Sequence, residues 1–454
     1  MRLLRAAVQR AQPILDPVPE RPQGYGRVLL SFGGQRGTMS ECLISYLIAT
    51  HNRRSTVVRT IDSLLTQSAD GLTYEILVVD NASTDGTSEH LARYGEPVSV
   101  IRSARNFGSC GKALAIDRCR GRYVMFLDDD SIPQPGSMAR MVAHFEADSR
   151  LAAAGFRVIL PDGSEECSAL GDVFVGCGAG LGRDALQAVG GLDGGLFMQA
   201  EEYDLAFRLI GAGWHVRRFE DLAVDHLKSP QSRLHARTAY YDSRNNLLLT
   251  YRYLPSPLDV EFRRDWKQRY RWLAVDAGVG LSFIRGAAVA RRAGRRQRDR
   301  YHPHRLDDSA VESIFRIRSI ADRMASLAAQ GVERIVLAGM GKNIFAYYRG
   351  AVAAGLTIQA VGDDRFAAPR RRYRGVPILP MADALQLAVD AVVVADSSPV
   401  GAREILHTSM KIDASPVQCW FWDASAGGPS QLHSTGYVVE TDKSQNAPCA
   451  PTSV

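Results

Sequence analysis

From residue 43 onward, short apolar runs alternate with segments of helical period. Residues 43–49, 74–79, 98–102 and 123–127 are rich in β-branched, aromatic and leucine side chains and bounded by turn residues, so they predict strands buried on both sides. Between them, 55–65 places Val57, Val58, Ile61, Leu64 and Leu65 on one face of a helix, and 111–120 is helical in pattern. The turn at 81–86 offers Ser83 or Thr84 as the cap of a following helix. Strands and helices alternating at this spacing predict a parallel sheet with helices on both faces.

The pattern is less regular further on. Residues 151–160 and 173–177 read as strands, 183–189 and 201–210 as helices, 214–219 and 222–226 as short extended pieces, and 240–253 as a long helix. A second, smaller layer follows, with strands at 334–338, 357–361 and 391–395. Its Gly339-Met340-Gly341 is part of a dinucleotide fingerprint whose third glycine falls on Ile344, a residue too bulky for close helix packing. The expected organisation is an irregular leader (1–40), an α/β domain (41–255), a helical, basic region (256–330), a Rossmann-like α/β domain (331–415) and a polar tail (416–454).

Composition narrows this picture. The chain has 454 residues, 46% hydrophobic and 23% charged, an ordinary globular balance. Its seven cysteines form no C-x-x-C pair, which fits free thiols in a reducing, cytoplasmic setting and leaves no readable zinc site. No secretory signal is visible, and the most apolar stretch, 272–290, is interrupted by Asp276 and Arg285, so no membrane span is expected. The net charge of +6 is unevenly spread: Arg285 to Arg300 holds seven arginines and one acid. A basic block beside an apolar stretch suits peripheral contact with an anionic inner membrane face or a polyphosphate-bearing substrate, and equally a solvated linker. It lacks the interleaved aromatics that stack bases, so nucleic acid is not an expected partner.

The chemistry concentrates where the strands end. Asp128-Asp129-Asp130 caps the 123–127 strand, and adjacent carboxylates repel one another unless a cation holds them. Alternation along an extended chain turns Asp128 and Asp130 one way and Asp129 the other, giving half a site for a hard divalent ion. Alone, the triplet reads as readily as a solvated acidic turn. The other strands end in Thr50-His51-Asn52-Arg53, in Asp80-Asn81 and near Arg105-Asn106, so the polar clusters share one sheet edge. Asp80 suits a ribose hydroxyl or base N–H, His51 suits stacking on a base, and Arg53 and Arg105 suit phosphates or sugar hydroxyls.

A resemblance ties these pieces together. The stretches ATHNR, LVVDNASTDGT, RNFGSCG, FLDDDSIP, VGGLDGGLFMQAEEYDLAFRLIGAGW and VDHLKS occur in the order found in family 2 glycosyltransferases of the GT-A fold, and residues 43 to about 250 resemble that family. The galactofuranosyl and rhamnosyl transferases are especially similar around HNR, RNFG and DDD. The resemblance implies an α/β GT-A nucleotide-sugar-binding domain and an inverting, hexosyltransferase-type reaction. A sugar would pass from a nucleoside diphosphate sugar to a glycan or glycolipid acceptor with Mn²⁺ or Mg²⁺ assisting. It further implies that Asp80, Arg53, Asn106, His51 and Asp128 contact the donor, that Asp128, Asp130 and His226 hold the metal, and that Glu202 is the general base. Many members carry Asp at that last position, so Glu lengthens the reach. The residues themselves add that Asp204 has a partner in Arg208, four positions on, whereas Glu202 is free of that ladder and can face a cleft. The second layer resembles the nucleotide-binding domains appended to some polysaccharide-biosynthesis enzymes.

Two alternatives stand beside this reading. A sugar nucleotidyltransferase needs a Gly-rich loop after the first strand, where this chain has Thr50-His51-Asn52-Arg53. A non-catalytic nucleotide-sugar sensor would bind donor without turnover.

Overall fold

Four parallel strands form the heart of the first sheet: β1 (Ile44–Thr50), β2 (Tyr74–Asp80), β3 (Val98–Arg102) and β4 (Tyr123–Asp128), in the order β3-β2-β1-β4. The computed structural model describes residues 42–228, 235–296, 305–411, 418–420 and 436–438. The 1–40 leader, nearly all of the 416–454 tail and the end of the Arg285–Arg300 block lie outside these residues. Pairing is level at the tips: Thr50 lies opposite Asp80, Ala49 opposite Asp128 and Asp80 opposite Arg102, so the polar strand ends meet on one edge.

The sheet continues from β4 through β8 (Gly178–Gly182), β6 (Leu151–Ile159), β9 (His215–His226) and β5 (Ser131–Pro133), with β7 (Glu165–Glu166) beside β6. Strand β5 begins immediately after Asp130 and pairs antiparallel with β9, setting Ser131 opposite His226. That pairing brings a residue almost a hundred positions away to the acidic tip of β4.

Several local expectations are corrected. Residues 111–120 form 3₁₀ turns, Gly108–Leu114 and Ile116–Arg118, not an α-helix. The successive residues Cys110, Gly111 and Lys112 are all buried, which a one-faced helix cannot achieve. Residues 173–177 are not a strand, and β8 starts just beyond them at Gly178. Glycine is needed there, because a Cβ at Gly180 would collide with Met141 of the covering Ser137–Ala147 helix. The pieces at 214–219 and 222–226 are parts of one strand, β9. The helix after β2 is served by Asp85, whose Oδ1 accepts from Thr87 N at 3.2 Å, rather than by Ser83 or Thr84.

The second sheet has the order β12-β13-β11-β10-β14-β15-β16 and is parallel from β13 to β15. These strands are β10 (Arg334–Ala338), β11 (Thr357–Gly362), β12 (Arg372–Tyr373), β13 (Val376–Leu379), β14 (Ala391–Val394), β15 (Gln418–Trp420) and β16 (Gly436–Val438). One continuous apolar core joins the two layers through Phe207, Phe262, Trp266, Phe315 and Phe345. Polar ties reinforce it: Trp266 Nε1 donates to Lys342 O at 2.9 Å, and Asp265 accepts from Tyr373 Oη at 2.5 Å and Arg374 Nη2 at 2.8 Å. Among the described residues no helix is long and apolar enough to cross a membrane. A turn at 277–279 splits the 272–290 stretch between the Leu258–Asp276 and Gly280–Arg296 helices.

Candidate active site

The acidic tip is a turn rather than a continued strand, so alternation does not govern it: β4 ends at Asp128. Arg53 bonds both Asp129 Oδ1 and, at 2.7 Å, Asp130 Oδ2. Asp129 is structural, accepting Thr50 Oγ1 at 2.7 Å, and burial pushes its carboxyl up to about 7 against the pull of Arg53. Asp130 is buried as well, yet its bonds to His226 and Arg53 outweigh that burial and hold it far below the usual carboxylate range. His226 Nε2 lies 3.3 Å from Asp130 Oδ1, and its Nδ1 lies 3.2 Å from Glu166 Oε2. Burial works against the imidazolium, but these carboxylates and Cys177 push it up to about 12.

Asp128, Cys177 and His226 present ligand atoms that all lie within 4.8 Å of one another. Burial raises the Cys177 thiol, and the carboxylate oxygen and imidazole nitrogen are the donors that suit Mn²⁺ or Mg²⁺. A cation there would take the place of the His226 Nε2 proton and of the contact between Lys112 Nζ and Asp128 Oδ1, now 2.9 Å. Lys112 is fully buried and also donates to Gly176 O at 3.2 Å.

The donor side is assembled from three loops. His51 Nδ1 donates to Asn81 O at 2.7 Å, and Asn106 Oδ1 accepts from Gly108 N at 2.7 Å. Asn81 links the β2 loop to the next, donating from Nδ2 to Gly108 O at 3.0 Å. Gly108 has φ +63°, and a Cβ on it would collide with Phe197 O. Two of the expected donor residues also make local contacts. Asp80 is fully buried, with Oδ1 accepting Ser83 N at 2.9 Å and Oδ2 accepting Ser88 Oγ, contacts that shape the loop. Arg53 bonds Asp129 through Nη1 and Asp130 through Nη2, and its side chain stays partly exposed.

The Glu201–Gly211 helix presents the remaining acids. Asp204 is buried and held down to about 2, despite that burial, by Arg208 at 2.8 Å, Arg252 at 3.0 Å and Tyr253 Oη at 2.7 Å, as the four-residue spacing predicts. Glu202 stays clear of that network and is half-buried. Burial and neighbouring Glu201 push its carboxyl up to about 8, with Lys342 pulling the other way. Glu201 turns toward the acidic tip: Oε1 accepts from Ser109 Oγ, and Oε2 is buried without a hydrogen-bond partner among the described residues.

The loop ahead of this helix is strained, with Phe197 at φ +67°, Gln199 at +68° and Ala200 at +64°. Asn245 Nδ2 pins it from below, lying 2.8 Å from Met198 O and 2.6 Å from Gln199 O, while Arg244 Nη2 donates to Leu196 O at 2.7 Å. Sequence reasoning missed Lys112, Glu166, Cys177, Asn245 and Lys342. Only Lys112 had a visible signal, since it directly follows the RNFGSCG stretch.

The model of Glycosyl transferase family 2 matches residues 45–170. The chain is 34% identical over 123 residues to the succinoglycan biosynthesis protein ExoO of Rhizobium meliloti, covering 26% of this chain and 35% of that protein. It is 29% identical over 127 residues to the putative teichuronic acid biosynthesis glycosyltransferase TuaG of Bacillus subtilis, covering 27% and 50% respectively. Thus it spans about a third to a half of the length of these relatives. Among solved structures, the mannosyltransferase PcManGT from Pyrobaculum calidifontis, in complex with GDP-Man and Mn²⁺, is 18% identical with a TM-score of 0.40, covering 57% of this chain and 81% of that one. The chain carries a family 2 glycosyltransferase domain.

Proposed function

We propose that this protein is an inverting, metal-assisted glycosyltransferase that moves a sugar from a nucleoside diphosphate sugar to a hydroxyl of a glycan or glycolipid, in cell-surface polysaccharide synthesis. The observation that carries the reading is the convergence of His226 on Asp130, at 3.3 Å, beside Asp128. Asp128, Asp130 and His226 would hold Mn²⁺ or Mg²⁺, and the bound ion supplies positive charge for the diphosphate as it leaves. The acceptor oxygen attacks the anomeric carbon from the face opposite the diphosphate. The carbon–oxygen bond to the diphosphate breaks, its electron pair leaves with the nucleotide, and Glu202 takes the acceptor proton. The loops at Thr50–Arg53, Asn81–Ser83 and Asn106–Gly108 cradle the nucleoside. Activity at the cytoplasmic face of a membrane, with the second layer as a Rossmann-like support, completes the proposal.

A thermal-shift screen of nucleotide sugars with Mn²⁺ tests it, because a ligand that binds the folded state raises Tm by mass action. One nucleotide should stand out, and its sugar should be released or transferred on adding acceptor. No shift with any nucleotide sugar, with or without Mn²⁺, would overturn the proposal.

A further inference from the structure

A cavity of about 850 Å³ lies among the helices His235–Tyr253, Leu258–Asp276 and Gly280–Arg296, away from the acidic tip. Its construction begins in the sequence. On the Gly280–Arg296 helix the small residues Gly286, Ala290 and Gly294 recur every four positions and face the His235–Tyr253 helix. The approach is so close that a Cβ at Gly286 would collide with Ser243, and one at Gly294 with Tyr251. The other side of the helix is therefore left outward. It carries Leu281 and Ile284, 69% and 59% exposed, followed by Ala288, Arg291 and Arg295.

The Leu258–Asp276 helix repeats this arrangement. Val260, Arg264, Lys267 and Arg271 recur at intervals of three and four and so share a face, with Val260 53% exposed. Except for Leu281, the residues of both stripes line the cavity, together with Trp272 and Phe283. Val352 apart, the strongly exposed large apolar residues of the described chain, Val260, Val275, Leu281 and Ile284, all belong to these two helices. Arg263 is paired with Asp259 at 3.2 Å, but Arg264, Lys267, Arg271, Arg291 and Arg295 have no acidic partner among the described residues. An apolar stripe alone would suit any hydrophobic partner. Five uncompensated cations interleaved with it require an occupant that is apolar within and anionic at its surface.

We infer that this face docks on an anionic phospholipid bilayer, with Leu281 and Ile284 entering the headgroup–acyl boundary and the cations meeting lipid phosphates. The contact is peripheral. It stands whether or not the chain transfers sugar, since none of these residues belongs to the candidate active site.

Co-sedimentation of the full chain with lipid vesicles tests it. Binding is expected to an equal mixture of phosphatidylcholine and phosphatidylglycerol, little to phosphatidylcholine alone, and less as salt rises. The triple charge reversal Lys267→Glu, Arg271→Glu, Arg291→Glu should weaken partition by about a hundredfold or more, at roughly fivefold for each cation removed. Ile284→Asp should weaken it independently, and circular dichroism should show both variants folded. Equal binding to both vesicle types, or unchanged binding by the triple variant, overturns the inference. So does a Tm rise with inorganic diphosphate but no vesicle binding, which would mean a soluble polyphosphate site. A concentration-dependent dimer that Ile284→Asp abolishes, again without vesicle binding, would mean a second copy of the chain covers the face and also overturns it.

Discussion

The Lys342 ammonium lies 3.4 Å from the centre of the Tyr203 ring, so a residue of the second layer reaches the helix that carries Glu202. Lys342 follows Gly341, where a Cβ would come within 2.7 Å of Ala395 O, and its Nζ donates to Asn246 Oδ1 at 2.5 Å. Burial drags its ammonium down to about 7, against the pull of Glu202. The two layers therefore share an electrostatic unit at the candidate base.

This coupling sets a pH dependence. A base works when deprotonated, and the Glu202 carboxyl is raised to about 8, so kcat/KM should climb with pH through about 8 rather than level off above 5. Lys342 favours the carboxylate. Lys342→Met keeps the unbranched stem and removes the charge, so the rising limb should move to higher pH, though by less than about 1 unit because an ammonium held at about 7 is already largely neutral there. A pH–rate profile identical to that of the parent would separate Lys342 from the chemistry.

Glu202→Gln keeps the shape of the side chain and removes the proton acceptor. Transfer should fall by about 10²–10⁴-fold, while the nucleotide-sugar Kd, read by calorimetry, stays within a factor of two or so of the parent's. Glu201→Gln is the informative companion. Glu201 already accepts from Ser109 and faces the acidic tip, so this change should disturb donor or metal affinity more than the chemical step. The opposite outcome, a dead Glu201→Gln and an active Glu202→Gln, would reassign the base.

The metal set can be tested apart from turnover. Asp130→Asn and His226→Ala should each raise the Mn²⁺ concentration needed for half-maximal thermal stabilisation by about 10–100-fold. Cys177→Ala should change it far less, because a hard cation such as Mn²⁺ or Mg²⁺ favours oxygen and imidazole nitrogen over sulfur. Unaltered Mn²⁺ titrations for both Asp130→Asn and His226→Ala would remove these residues as ligands.

Much of this site was readable from the pattern of residues, for physical reasons. The apolar runs of β1, β2 and β4 are long enough to fix strands, and parallel strands align their carboxyl ends, so the polar clusters after Thr50, Asp80 and Tyr123–Asp128 had to meet. The Asp204–Arg208 pair followed from helical spacing alone. What escaped depends on long-range approach. Nothing near Lys342 in sequence points to Tyr203, and nothing near Asn245 points to the Met198 and Gln199 carbonyls. Glycine hid a strand as well: the expected strand at 173–177 lies instead at Gly178–Gly182, where Met141 and Val224 leave no room for a Cβ at Gly180 and Gly178. Asp80 looked free after an apolar strand, but two serines downstream fold back onto it.

Asn245 gives the last test, because it connects stability with geometry. The loop that leads into Glu202 has three non-glycine residues at positive φ, a conformation each would leave if nothing held it. Asn245 is fully buried beneath that loop, and its amide faces Leu196, Met198 and Gln199 carbonyls. Asn245→Ala takes this donor from the Met198 and Gln199 carbonyls, while Leu196 O keeps Arg244, and the loss costs about 1–3 kcal/mol of folding stability. With the loop released, the helix N-terminus no longer fixes the direction of Glu202. Since a misplacement of about 1 Å can cost roughly 10²-fold in rate, kcat should fall by about that factor while donor binding persists. Denaturant unfolding measures the first effect and saturating-donor kinetics the second. A variant that loses stability but keeps full kcat would show that Asn245 holds up the fold without positioning the base.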